Sequence, residues 1–200
     1  MDDDPWFNFL TFGGIAPHFA NGKLNMNGEN WRWEFFPTIK NDLFDIAETL
    51  DAAFAQGQLD KLLYIGSILR IAGQESPDAK VKVLLLTSIL ELLLTHNPDF
   101  NRFNVEDSIN KQFQLKTSVL LYLNNPSTDV DEAKKRLKAI YQARSSIAHG
   151  NFGELSKIAG KKRSECDPIE DYAEYLYLCI RVVLEEYLKN RRFVEFLKSS

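Results

Sequence analysis

Between Val81 and Leu94 the chain carries apolar side chains on nearly every side of a helix, namely Val81, Val83, Leu84, Leu85, Leu86, Ile89, Leu90, Leu92, Leu93 and Leu94. A helix of this kind has no face to offer water, so other elements must surround it. The segment therefore predicts the central helix of a bundle. It is too short to span a bilayer and contains Lys82 and Glu91, which argues against a membrane span. Ser76-Pro77 supplies an N-cap and a first-position proline, and Asn97-Pro98 closes the segment after about His96.

Helical periodicity surrounds this segment. One helix is expected from a cap at Asn41 to about Ala55, and a second from Leu59 to Ala72, stopped by Gly73. Another runs from Val105 to Leu123 and ends at Asn124-Asn125-Pro126. A cap at Thr128 or Asp129 opens a helix to about His149, with Val130, Ala133, Leu137, Ile140, Tyr141 and Ile147 inward and Gly150 as its stop. Residues 152–165 read as a polar, basic loop. Asp167-Pro168-Ile169-Glu170 caps a last long helix to about Leu197. The expected class is all-α, a helical bundle over residues 41–200 with short connections.

Residues 1–40 differ. They hold Trp6, Trp31 and Trp33, and turn dipeptides at Gly13-Gly14, Asn21-Gly22 and Asn27-Gly28. The alternation Trp31-Arg32-Trp33-Glu34-Phe35 reads as a short strand. This segment is either a small β-rich appendage or the end of a larger N-terminal domain. Its aromatic residues are read as core or interface and not as a base-stacking platform.

Composition narrows the function classes. A net charge of −4 and a pI near 5.5 give no global attraction to nucleic acid, so RNA contact would need a local basic patch. The two cysteines, Cys166 and Cys179, form no Cys-x-x-Cys pair. A disulfide framework or zinc site is not expected, and a reducing, cytoplasmic setting is. The acidic start Met1-Asp2-Asp3-Asp4 lacks the pattern of a signal peptide. The chain has no phosphate-binding Gly-rich loop, no His-Glu-x-x-His helix and no Gly-x-Ser-x-Gly elbow. With three histidines, His18, His96 and His149, a His-rich metal site is not expected, and neither is a cofactor. His18 and His96 read as structural.

One segment concentrates chemistry: Ile140-Tyr141-Gln142-Ala143-Arg144-Ser145-Ser146-Ile147-Ala148-His149-Gly150. It sets a guanidinium and an imidazole at the end of an amphipathic helix. Five residues are about 140° of helical rotation, so the two share a face only if the last turn loosens, as Gly150 would allow. A helix C-terminus also favours a cation such as an imidazolium.

Arg-x-x-x-x-His followed by Gly, with an aromatic three residues before the Arg, resembles the HEPN superfamily and its Apea-like branch. Leu86-Thr87-Ser88-Ile89-Leu90-Glu91-Leu92-Leu93 resembles the family's apolar helix with a Leu-Glu-x-Leu core. The resemblance covers about residues 78–197. It implies a helical bundle that forms a homodimer, with two Arg–His motifs facing across a cleft. It further implies a metal-independent endoribonuclease in a defence, toxin–antitoxin or RNA-processing role, with an antitoxin or regulatory protein as the partner that would restrain it. His149 would be the general acid/base and Arg144 the ligand of the scissile phosphate. Ser145 would orient the pair, and Glu91 would anchor Arg144.

Those residue types suit that chemistry. RNA carries its own nucleophile, the 2′-hydroxyl, so the enzyme supplies proton transfer and charge stabilisation, leaving a 2′,3′-cyclic phosphate. A guanidinium offers phosphate a planar fork of donors, and an imidazole exchanges protons near neutrality. Lys157, Lys161, Lys162 and Arg163 read either as an RNA-contact patch or as a solvated loop. Arg144 and His149 also admit a plainer reading, as a surface ion-pair former and a helix-end partner. A non-catalytic dimerisation or nucleotide-binding module, relaying a signal from an N-terminal sensor, is the alternative function.

Overall fold

The computed structural model describes residues 47–55, 57, 59–96, 105–158 and 168–200. Contacts divide the chain into two units, Met1–Gly57 and Gln58–Ser200. In the first, residues 47–55 are helical. The β-rich segment expected over 1–40 lies outside the described residues.

The second unit contains α1 (Leu59–Arg70), a π turn (Ile71–Glu75), α2 (Ala79–Leu94), α3 (Val105–Asn124), α4 (Val130–Ala148), α5 (Phe152–Ile158), α6 (Pro168–Lys189) and α7 (Arg191–Ser199). No strand occurs among the described residues, in keeping with the all-α expectation. Nor is any described helix long and apolar enough to cross a membrane.

The apolar segment sits where its composition requires. Helix α2 packs against α1, α3, α4, α6 and α7, and Val83, Leu86, Ile89, Leu90, Leu93 and Leu94 are buried along it. Only its entry is open, at Val81. Helix α6 contributes Leu176, Cys179, Ile180 and Val183, and α4 contributes Ala133, Leu137 and Ile140, to the same core. A polar clasp joins α4 to α6. The Arg136 Nη2 donates to both Asp171 carboxylate oxygens at 2.8 Å, and its guanidinium carbon lies 4.0 Å from the centre of the Tyr175 ring.

Four boundaries differ from expectation. Gly73 does not stop its helix; it lies inside the π turn, which closes when the Ser76 N–H donates to the Ile71 carbonyl at 2.9 Å. Helix α2 is capped not by Ser76 but by Asp78, whose carboxylate accepts from the Lys80 N–H, so Pro77 precedes the helix. Part of the basic loop is helical. Helix α5 starts when the Glu154 and Leu155 amides donate to the Asn151 carbonyl, and Leu155 is buried beneath it. Finally, the last helix breaks at Asn190, whose φ of −140° and ψ of 59° are not helical. The break lets α7 fold back over α2 and α6.

Candidate functional site

Helix α4 carries the Arg–His segment, and its ends are set by local chemistry. The Asp129 side chain accepts from the Asp131 and Glu132 amides at the start. At the other end Gly150 adopts φ +70°. Its N–H donates to the Ile147 carbonyl at 3.1 Å, and the Asn151 N–H donates to the Ser146 carbonyl at 2.8 Å. These two bonds form a Schellman motif with His149 as the C-cap. The last carbonyls of α4 are satisfied by backbone, and the imidazole is left exposed. Among the described residues no hydrogen bond or ion pair is recorded for its ring.

Arg144 lies on a different side of the helix and is half-buried. Its Nη2 is 3.2 Å from Oε2 of Glu91 on α2. The guanidinium carbon is 5.7 Å from the centre of the Tyr141 ring, one turn earlier. Tyr141 is buried and packs at 5.3 Å, centroid to centroid, on Phe113 of α3. The Nε of Arg144 is buried with no hydrogen-bond partner. A carboxylate, an aromatic face and the bundle wall thus orient the guanidinium, while one of its donors remains unspent.

Beside this arrangement an open cleft of about 380 Å³ separates the end of α4 from α5. Gln142, Ser145, Ser146, Glu154 and Lys157 line it. The fold brings Ser145 and Lys157 to one cleft and joins Glu91, Tyr141 and Arg144 in a second group. His149 touches neither group through any recorded side-chain contact. Lys161, Lys162 and Arg163 lie outside the described residues, as does His18. His96 belongs to a polar network on α3 and α7, described below.

Sequence reading missed Gln142, Ser146 and Glu154. The first two were accessible in principle, because positions 142, 145 and 146 are neighbours on one helical face. Glu154 and Lys157 share a face only because α5 is a helix, which the composition of a polar, basic stretch concealed.

Among the described residues no group of three His, Cys, Asp or Glu side chains is placed to hold a metal. Cys179 sits in the core, where burial pushes its thiol up to about 12. What fold and geometry define is a helical bundle with an anchored arginine, a helix-capping histidine and a polar cleft. The chain gives no significant match to any family model, curated protein or solved structure.

Proposed function

We propose that this chain is a metal-independent endoribonuclease of the HEPN type, working as a homodimer in the cytoplasm. The observation that carries the reading is the division of labour on α4. A guanidinium is held in place by Glu91 and Tyr141, and five residues further on the C-cap position of the helix carries an exposed imidazole. An anchored guanidinium suits a phosphate that must be gripped in one orientation, and an exposed imidazole suits proton transfer.

In the proposed reaction a phosphodiester lies against Arg144. His149 takes the proton of the 2′-hydroxyl, the 2′-oxygen bonds to phosphorus, and the bond from phosphorus to the 5′-oxygen breaks. The 5′-oxygen leaves with a proton supplied by the imidazole of the second copy. Arg144 offsets the charge that develops on the non-bridging oxygens. Gln142, Ser145 and Lys157 in the adjoining cleft provide polar and cationic contacts for the strand.

Purified protein incubated with structured and unstructured RNAs tests this. Wild type is expected to cleave with or without chelator and to leave 2′,3′-cyclic phosphate ends. His149→Ala and Arg144→Ala should each lose about 10²-fold or more while keeping helical circular dichroism. Cleavage that survives both substitutions sinks the proposal.

One observation favours the second reading, a binding module without turnover. The described cleft pairs a single cation, Lys157, with an acid, Glu154, and Arg144 is already engaged by Glu91. That reading predicts RNA or nucleotide binding that Arg144→Ala weakens, with no strand scission.

A further inference from the structure

We infer that α7 is a strap whose docking, through Lys198, fixes the turn of α2 from which Glu91 holds Arg144. Lys198 bonds in both directions. Its Nζ donates to the carbonyl of Leu92, next to Glu91, at 2.7 Å. Its own carbonyl accepts from Nζ of Lys116 on α3 at 2.8 Å and is 2.6 Å from Nδ1 of His96. A carbonyl can only accept, so Nδ1 of His96 carries the hydrogen. Gln112 of α3 completes the grip. Its side chain accepts from the His96 N–H at 3.1 Å and donates to the His96 carbonyl at 3.2 Å. The last turn of α2 is thereby held by side chains from α3 and α7, and the carboxylate that meets Arg144 projects from that same turn.

Helix α7 has the properties of a detachable element. It has nine residues, too few to be stable alone, and its N-cap Asn190 makes no side-chain capping bond. Of its side chains Val194 is buried, while Phe193 and Leu197 are partly so. Its attachment adds the polar contacts of Lys198 to this limited apolar packing. Those contacts are opposed by like charge. Burial, and then Lys198, lower the pKa of Lys116. The same two causes lower that of Lys61 on α1, with Glu195 partly offsetting them. A short helix held in part by these hydrogen bonds, against cation–cation repulsion, is the element whose loosening would free the turn that carries Glu91. The path from it to Arg144 is contiguous: Lys198 to Leu92, Leu92 to Glu91, Glu91 to Arg144.

The strap rests on the contacts of α7 and the charges around them; only its effect on catalysis rests on the ribonuclease reading. Its test compares wild type, Lys198→Met and Lys116→Met in two measurements. Amide exchange over residues 191–199 reports docking. The Nε–H resonance of Arg144, identified by its loss in Arg144→Lys, reports the guanidinium. Exchange in α7 should accelerate at least tenfold in Lys198→Met and less in Lys116→Met. The Arg144 resonance should move the way Glu91→Gln moves it. An α7 that exchanges faster beside an unmoved Arg144 signal overturns the inference, as does unchanged exchange in both variants. If Lys198→Met fails to fold, Lys116→Met, which removes one contact to the Lys198 carbonyl, decides by the same criteria. RNA cleavage measured alongside separates the two claims. A coupled but inert wild type counts against the ribonuclease and supports the strap; cleavage without coupling does the reverse.

Discussion

Arg144 of α4 and Glu91 of α2 are 53 positions apart in sequence and meet at 3.2 Å, both largely shielded from solvent. The pair ties the helix bearing the chemical residues to the central helix of the bundle. Each partner also makes the other tolerable in a place where a lone charge is costly.

Removing both partners should therefore cost less than the two single removals added together. Glu91→Leu is expected to destabilise by about 1–3 kcal/mol, because it strands a half-buried guanidinium. The double variant Glu91→Leu/Arg144→Leu should lose clearly less than the sum of the two single changes. Urea denaturation of the four proteins measures this, and strict additivity would show that the pair carries no coupling.

Gly150 occupies a left-handed conformation that a Cβ disfavours. Gly150→Ala should cost about 1 kcal/mol, and Gly150→Asn less, since asparagine tolerates that region. In a unit of this size the alanine variant corresponds to a loss of about 2–4 °C in Tm. Equal melting temperatures for the glycine and alanine forms would contradict the cap. Because His149 is the adjacent C-cap, the same change should also disturb any activity that depends on the imidazole.

Alkaline pH should weaken the fold through one core group, Cys179, and one half-buried neighbour, Tyr175. Burial pushes the Cys179 thiol from 9.0 up to about 12, and burial followed by the neighbouring Cys179 raises Tyr175 from 10.0 to about 12. The folded chain holds these protons more tightly than the unfolded chain does. Their contribution is fully present below the unfolded values and is lost as pH rises from about 9 toward 12. Denaturation midpoints across that range should fall, and Cys179→Ala should fall less steeply. A thiol reagent should leave Cys179 of the native protein unmodified and label it at once in denaturant.

Packing around α2 supplies a contrast between two apolar residues of one helix. Leu90 is 0 % exposed and Val81 is 40 % exposed. Leu90→Ala should cost about 2–5 kcal/mol, through lost burial and the cavity left behind. Val81→Ala should stay within about 0.5 kcal/mol. Comparable losses at the two sites would mean that α2 does not sit as described.

What could be read from residues alone follows the range of the interactions. The helical class of the described unit and the central place of the Val81–Leu94 segment were legible, because an all-round apolar helix has one physical solution. So were the ends of α4, since Asp129 and Gly150 act on backbone groups within a turn of themselves. The start of α2 was misplaced by two residues because Ser76 and Asp78 are both competent caps, and only the path out of the π turn selects between them. Helix α5 was missed because Leu155, which is buried, is apolar in a polar stretch and finds its cover on α4.

Sequence by itself determined that the long segments are helical, which one must be central, and that Arg144 and His149 stand at a helix end, because hydrophobic period and capping act between near neighbours. Tertiary structure alone decided that Arg144 meets Glu91, that Ser145 shares a cleft with Lys157, and that the chain turns at Asn190 so that Lys198 reaches Leu92. Those contacts join residues far apart along the chain. Their energies depend on how helices cross and which charges burial leaves face to face, and no local pattern encodes either.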